Sequence, residues 1–574
     1  MATEFSPELR RRQYVAGQLD TASLPPLLHR LYAQRGVTAL SDLHREVKFL
    51  HPFQSLHGID KATILMQQAL IEQRRIVVIG DFDADGATST ALTVLALRAM
   101  GGNDVHYLIP NRFENGYGLS PEVVEQAALQ GAELIVTVDN GISSHAGVIC
   151  AHDKNIQVII TDHHLPGEAL PDADAIVNPN LRTSTFPSRS LAGVGVAFYL
   201  MVALRARLRE SGVTMLPNLA SLLDLVALGT VADVVPLDAN NRILVWQGLC
   251  RIRAGQCRPG IRALLEVTGR SLSGLTASDL GFALGPRLNA AGRLDDMSVG
   301  VALLLTEDPS EARMLASKLD TLNQTRKMIE KEMEAEALVL CNKFAQSDVL
   351  QPLGLALYHP DWHQGVVGII ASRLKDRFHR PVIAFAPAGD GTLKGSARSI
   401  DGVHMRDALE RLESCQPGLM LKFGGHAMAA GVTIVADNFT IFQDSFTALM
   451  QELLSEEALQ GVIWSDGELL PDEMTLDTAG MLREAGPWGQ AFPEPIFDGK
   501  FKLLQQRLLA GHHLKMILEP LAGGPLLDGI AFNIDSTRWP DTSVKQVEAV
   551  YKLDINQFRG NCNLQLIIQH FWPA

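Results

Sequence analysis

Four short apolar runs set the frame: IVVIG (76–80), VHYLI (105–109), ELIVTV (133–138) and IQVIIT (156–161). Each is short and rich in β-branched or other apolar residues, which predicts a strand. Three stretches of helical character, 86–100, 121–130 and 143–153, lie between them. The first, GATSTALTVLALRAM, is stopped by Gly101-Gly102. Strands alternating with helices make βαβ units, hence a parallel sheet covered on both faces. In such a sheet the carboxyl ends of the strands open on one crevice. Side chains placed just after these runs are therefore brought together.

Those positions are filled with acids and imidazoles. DFDADG puts Asp81, Asp83 and Asp85 after the first run, VDNG supplies Asp139, and TDHH supplies Asp162, His163 and His164. LGTVADVVPL adds Asp233 after a further apolar segment, and is read with them as a strand end, although 218–232 has helical character. Carboxylates this close raise one another's cost of ionising, and a cation removes that cost. D-x-D-x-D-G also begins a calcium loop of the EF-hand type. That loop needs a bidentate Glu at position 12, which is Leu92 here. It is also entered from a helix, whereas this motif is entered from a strand. Hard oxygens with one or two imidazoles suit Mn²⁺ or Mg²⁺ better than zinc. More acids are present than one ion needs. Two ions ~3.5–4 Å apart, sharing a carboxylate, would use them all, activate a water and clamp a phosphoryl centre. The residues thus predict hydrolysis of a phosphate ester or anhydride. A single Asp after a strand is commonly a turn or N-cap residue, and Asp162 could simply brace the histidines beside it.

The rest of the chain extends this α/β core. Asp308, Pro309 and Glu311 open a long helical pattern over 308–345, with a capping box expected at its start. Short strands and helices return over 352–435, with strands at 353–358 and 382–386, and 436–460 is helical. The acidic, Pro-rich stretch 461–500 reads as a linker or domain edge. Alternating segments from 497 to 571 then fit a five-stranded barrel of the OB type. Its Lys502, Arg507 and Lys515 could line a basic groove, and its Phe497, Phe501, Phe532 and Phe558 serve as core or as stacking surface.

Charge and cysteine content bound the setting. The net charge is −14, and the segment 451–500 holds eleven acidic residues against two basic ones, so other surfaces remain able to attract an anion. The longest apolar run, LAGVGVAFYLMVAL (191–204), is shorter than the ~20 residues a membrane helix needs. No N-terminal secretory pattern is present. Six cysteines without a C-x-x-C pair are expected to be reduced and mostly buried. A cytoplasmic chain without membrane contact is expected.

The motifs, in this order, resemble the DHH phosphoesterase superfamily, and the whole chain from about residue 30 is similar to the RecJ-type single-strand-DNA exonucleases. The stretches that carry the likeness include NRFENGYGLS (111–120), PRLNAAGR (286–293), WHQGVVGIIASRL (362–374), GSARS (395–399) and GGHAMAAG (424–431). The resemblance implies a parallel-sheet DHH domain with an N-terminal extension over 1–305 and a connecting helix over 306–345. A smaller α/β, DHHA1-like domain would follow over 346–455, then an OB-fold-like domain over 456–574. It implies two Mn²⁺ or Mg²⁺ ions held by Asp83, Asp85, Asp139, His163 and Asp233. Asp81, Asp162 and His164 would complete the catalytic group. It further implies that Arg112, Arg287, Arg293, Arg373, Ser396 and Arg398 bind substrate, since a guanidinium fork suits phosphate oxygens. Of these, Arg112, Ser396 and Arg398 would hold a strand's 5′-terminal phosphate. Gly424 and Gly425 would bring backbone amides to a phosphate, with His426 touching it, on a loop facing the metals. The implied activity is 5′→3′ hydrolysis of single-stranded DNA to mononucleotides in recombination and repair. The enzyme would be a monomer, partnered by a single-strand-binding protein. Two other readings are a phosphatase of small molecules or short oligonucleotides, and a non-catalytic single-strand-binding scaffold. The length and the extra barrel weigh against the first, the complete donor set against the second.

Overall fold

In the computed structural model, which describes residues 7–14, 19, 23–111, 118–346, 352–558 and 561–574, the four apolar runs are strands: β1 (Ile76–Ile79), β2 (Val105–Leu108), β3 (Leu134–Val138) and β4 (Gln157–Thr161). A short β5 (Ala175–Val177) joins them. The sheet order is β2-β1-β3-β4-β5, with every neighbouring pair parallel. All four residues of β1 are buried, which explains why the sequence shows an unbroken apolar run there instead of alternation. On one face, Val77, Ile79, Ile135, Val158 and Ile160 pack against α2 (Pro121–Leu129) and α3 (His145–Asp153).

The helix between β1 and β2, α1 (Ala84–Ala99), is buried nearly all round. It begins two residues earlier than the spacing predicts because Asp83 caps it, accepting the Gly86 N–H at 2.9 Å. The apolar run 191–204 lies within a second buried helix, α4 (Gly193–Glu210). Helix α5 (Leu223–Ala232) ends at Asp233, so that acid stands at a helix C-terminus. The expectation that it closes a strand is corrected here. Helix α6 (Gly285–Leu294) follows a π-helix, Leu280–Leu284.

The chain divides into two units: a larger one of residues 11–292, 296–320 and 464–574, and a smaller one of 1–10, 293–295 and 321–463. Helix α7 (Pro309–Gln346) runs from one into the other. Its expected capping box does not form. Asp308 Oδ1 accepts the Ser310 N–H at 2.9 Å, while Glu311 turns to the Thr306 hydroxyl.

In the smaller unit, β6 (Leu355–Tyr358), β7 (Val382–Gly389), β8 (Thr392–Arg398), β9 (Lys422–Gly425) and β10 (Ala429–Val435) form one sheet in the order β9-β10-β8-β7-β6. Helix α8 (Val367–Phe378) packs with Trp362 on one apolar cluster. Helices α9 (Met405–Cys415) and α10 (Phe439–Leu453) pack on the other. Trp362 is buried and donates its Nε1–H to Glu336 at 3.0 Å.

The C-terminal strands β11 (Phe497–Leu509), β12 (His513–Pro520), β13 (Leu527–Ala531), β14 (Gln546–Phe558) and β15 (Asn561–Pro573) close a barrel in the order β11-β12-β13-β15-β14. Only the β13–β15 pair is parallel. Phe497 and Phe501 fill its core, whereas Phe532 is exposed; the Phe558 side chain lies outside the described residues. Lys502 pairs with Glu519 at 3.1 Å and Lys515 with Asp528 at 2.7 Å. Two of the three cations expected to line a groove are thus engaged on the barrel itself.

Two further expectations need correcting. The stretch 461–500 contains the boundary between the units, at 463/464, but is not a linker: it holds the strand Val462–Ser465, the helix Leu476–Ala485 and the start of β11. Its Asp466 and Asp498 are buried and pair with Arg35 and Arg11, so part of the local acidity is answered by the N-terminal arginines. The six cysteines are all free, but four are half-buried and two exposed. Among the described residues, no helix is long and apolar enough to cross a membrane.

Candidate metal centre

The parallel sheet delivers its acids as the topology requires. Asp81 follows β1, Asp139 follows β3, and Asp162, His163 and His164 follow β4. Asp83 and Asp85 sit on the first turn of α1, and Asp233 arrives from α5. Three sets of ligand atoms lie within 4.8 Å of one another: Asp139–His163–His164, Asp85–His163–Asp233 and Asp81–Asp83–Asp139. Asp139 and His163 each belong to two sets. His163 Nε2 is 3.1 Å from Asp139 Oδ1 and 3.5 Å from Asp233 Oδ2.

Tertiary packing holds these groups in place. Both Asp85 oxygens accept backbone amides at the start of α4, from Gly193 at 2.6 Å and Val194 at 2.9 Å. A helix N-terminus favours such a carboxylate. Asp139 has a φ of 64°, a left-handed conformation uncommon for a non-glycine residue. Asn140 ties the ends of two strands together, donating to the carbonyls of Ile79 at 3.1 Å and Val138 at 2.9 Å. Asn289 on α6 accepts the Ala84 N–H at 2.8 Å and so anchors the start of α1. A Cβ on Gly193 would lie 2.5 Å from the Asp139 Cβ, and one on Gly292 would collide with the Phe82 carbonyl. Sequence reasoning missed Asn140, Asn289, Gly193 and Gly292. Their only signal was membership of the VDNG, PRLNAAGR and LAGVG stretches.

Asp162 is a brace. Its Oδ1 accepts the amides of His163 at 2.7 Å and His164 at 3.0 Å, and the His164 Nδ1–H at 2.7 Å. Its Oδ2 accepts the Ile142 amide at 2.9 Å. This fixes the tautomer of His164 and aims its Nε2 away from the brace. Asp162→Asn leaves the Ile142 N–H facing an amide donor. It is expected to lower both Mn²⁺ affinity and turnover by about 10- to 100-fold, read by titration calorimetry and steady-state rates; a wild-type affinity would contradict the bracing role.

The electrostatics call for a cation. Burial, then the Asp233 charge, pushes Asp85 up to about 7. Burial and Asp83 do the same for Asp233, also to about 7. Burial and Asp85 raise Asp139 well above the usual carboxylate range. Burial and the neighbouring His164 lower His163. For His164, burial opposes the charge, but the hydrogen bond and charge of Asp162 prevail and raise it to about 9. For Asp162, burial acts upward and the bond to His164 outweighs it, so the carboxyl is lowered. Among the described residues, His163 Nε2 and Asp233 Oδ2 are buried without a hydrogen-bond partner. Orphaned donor atoms beside mutually repelling carboxylates fit a divalent ion of the Mn²⁺ or Mg²⁺ type.

The sign of the pH dependence follows. Carboxyls raised in the fold stabilise the metal-free protein below the unfolded value, near 4, and lose that contribution as pH rises through about 7. At pH 6 an incoming cation must displace protons. Mn²⁺ binding is therefore expected to release protons and to tighten from pH 6 to pH 8. Calorimetry in two buffers of different ionisation heat measures the release, and pH-independent affinity would contradict it.

The residues expected to bind substrate are disposed unevenly. Arg112 lies outside the described residues. Arg287 donates to Asp320 at 2.8 Å and to the Ala283 carbonyl at 2.7 Å. Arg293 donates to the Gly365 carbonyl at 3.0 Å. Arg373 donates to Glu330 at 3.0 Å with its side chain more than half exposed. Ser396 and Arg398 lie together on β8, with Arg398 Nη1 donating to Ser396 Oγ at 3.0 Å. Burial lowers Arg398, and among the described residues no carboxylate pairs with it. A Cβ on Gly368, in the first turn of α8, would lie 3.0 Å from Ser396 Oγ and 3.1 Å from Arg398 Nη2. A helix start, a hydroxyl and an unneutralised guanidinium therefore converge there. Gly424 and Gly425 belong to the β9–β10 hairpin, opposite Gly431 and Ala430, and His426 N–H closes it on the Ala429 carbonyl at 2.7 Å.

Three family models match: "DHH family, N-terminal domain" over residues 75–230, "DHHA1 domain" over 349–452 and "RecJ OB domain" over 465–570. Fold and site together define a metal-dependent phosphoesterase of the DHH class. The chain is 67% identical to the single-stranded-DNA-specific exonuclease RecJ of Dickeya dadantii and 65% identical to that of Escherichia coli, over 99% of each chain. It is also similar to the crystal structure of RecJ in complex with Mn²⁺ from Thermus thermophilus. That likeness has a TM-score of 0.79 at 31% identity, covering 96% of this chain and 76% of that one. A second structure of that protein, in complex with Mg²⁺, matches with a TM-score of 0.73 at 29% identity, covering 96% and 74%. The chain belongs to the RecJ family of single-stranded-DNA-specific exonucleases.

Proposed function

We propose that this chain hydrolyses single-stranded DNA from the 5′ end, releasing 5′-mononucleotides, with two Mn²⁺ or Mg²⁺ ions held by Asp81, Asp83, Asp85, Asp139, His163 and Asp233. The observation that carries the reading is the contiguous donor set in which Asp139 and His163 are each shared between two clusters. Asp139 and His163 would each be available to both ions. Bound there, the ions supply an activated water and neutralise charge on the phosphoryl oxygens. The chain's own groups set the geometry. Asp162 orients His164 toward the scissile phosphate, and the α4 amides keep Asp85 aimed.

Polarity comes from the smaller unit in this proposal. The half-buried Arg398, with Ser396 and the Cβ-free backbone of Gly368 beside them, takes the terminal 5′-phosphate, joined by Arg112. A phosphate supplies the counter-charge that Arg398 lacks. Arg287, Arg293, Arg373, His426 and the amides of Gly424 and Gly425 contact the strand, and the barrel holds the bases that follow. The enzyme works as a cytoplasmic monomer in recombination and repair, on strands that a single-strand-binding protein delivers.

The test is digestion of oligonucleotides labelled at either end, with Mn²⁺ and with chelator. The 5′ label is expected to appear first, as a mononucleotide, and only with metal. Arg398→Ala is expected to erase the preference for a 5′-phosphate over a 5′-hydroxyl. Release starting at the 3′ end would overturn the assignment.

A further inference from the structure

Two exposed apolar side chains with no part in the chemistry above lie on segments that lead to or pack on the metal-bearing turn. Phe282 is 83% exposed and Val234 63% exposed. Val234 directly follows Asp233, and its φ of 63° is strained for a β-branched residue. Phe282 lies in the π-helix Leu280–Leu284, a conformation over-represented at functional sites. That turn packs on the end of α5. A Cβ on Gly281 would lie 3.2 Å from Val231 Cγ1, and one on Gly285 would lie 3.1 Å from Ala232 Cβ. Val231 and Ala232 immediately precede Asp233, so Phe282 stands between the two glycines that seat on the metal-bearing turn. Further along, Asn289 and Gly292 touch the Asp-rich loop itself. The segment 280–292 therefore borders the metal donors along its length.

We propose that Phe282 is a stacking platform for one base of the strand whose phosphate sits at the metal donors; the proposal rests on the reading of this chain as a single-strand exonuclease. A phosphodiester at Asp233 carries its bases one sugar away, and an unpaired base has a bare π-face that an aromatic ring covers whatever the base identity. In a duplex every internal base is already stacked on both faces and its edge is paired. The platform thus favours single strands over duplex at the site of cleavage.

The test compares wild type, Phe282→Ala and Phe282→Trp on 5′-phosphorylated oligodeoxythymidine in Mn²⁺, with an abasic analogue placed in turn at each of the first four nucleotides. Stacking on an aromatic side chain is worth about 1–3 kcal/mol per base. Phe282→Ala is therefore expected to raise KM by about 5- to 150-fold, with little change in kcat and in melting temperature. Phe282→Trp is expected to retain the wild-type KM. One abasic position should raise KM for wild type to the same extent and cause no further rise in Phe282→Ala. A KM within about twofold of wild type for Phe282→Ala on every strand would overturn the platform alone. Failure of wild type to digest any single strand would overturn the underlying reading and the platform with it.

Discussion

Asp139→Ala is expected to abolish strand hydrolysis, with kcat falling on the order of 10³-fold or more. Asp139 belongs to two of the three donor clusters, so its loss weakens both proposed ion sites at once. It also contacts the rest of the centre through His163, whose Nε2 lies 3.1 Å away. Asp139→Asn separates charge from shape: it keeps the side-chain volume and removes the anion. Both variants should bind Mn²⁺ more weakly by calorimetry and by electron paramagnetic resonance of the free ion. Because Asp139 is raised well above the usual carboxylate range in the metal-free protein, removing its charge relieves repulsion. The variants should therefore be at least as stable as wild type without metal and gain less when Mn²⁺ is added. Hydrolysis at the wild-type rate by purified Asp139→Ala would place the chemistry elsewhere.

The largest stability effect is expected at a buried ion pair of the larger unit. Asp466 and Arg35 form an ion pair at 2.9 Å, with side chains 0% and 1% exposed. Asp466 also accepts from Arg12 at 3.2 Å and from the Ile496 amide at 2.9 Å. Burial opposes the charge of Arg35, and only the neighbouring Asp466 offsets it substantially. Asp466→Ala strands that guanidinium, a loss of about 3–5 kcal/mol. The Arg35→Met, Asp466→Ala double variant removes both charges and should recover much of that loss. A denaturant series on the four proteins of the cycle gives the coupling directly. Equal destabilisation by Asp466→Ala and by the double variant would show that the pair is not what holds Asp466 in place.

Much of the centre was legible before any coordinates. A strand buried on both faces keeps mostly apolar residues, so β1, β3 and β4 announced themselves as short, nearly uninterrupted runs. Their order with the helices implied a parallel sheet, and the crevice at its carboxyl ends followed. Asp81, Asp83 and Asp85 were conspicuous because unpaired like charges at that spacing are costly, and few explanations other than a cation survive. Asp233 was recognised as an acid of the same group and 218–232 was read as helical, yet the acid was still counted with the strand ends.

What stayed hidden has a common physical character. The amides that hold Asp85 come from Gly193 and Val194, and the cap on Ala84 comes from Asn289, each more than a hundred residues away. Arg287 looked like a free cation until Asp320 was seen to engage it, and whether the acidic stretch 461–500 was a linker or a domain edge was open until Arg11 and Arg35 were seen against its acids. Residue type and local spacing determined that this chain builds a parallel α/β sheet with metal-seeking acids at its edge, because burial and charge repulsion act within a few residues. Which oxygens remain open to an ion, and which cations are already neutralised, was decided only by the tertiary structure, because hydrogen bonds and ion pairs depend on the approach of segments that the chain order keeps far apart.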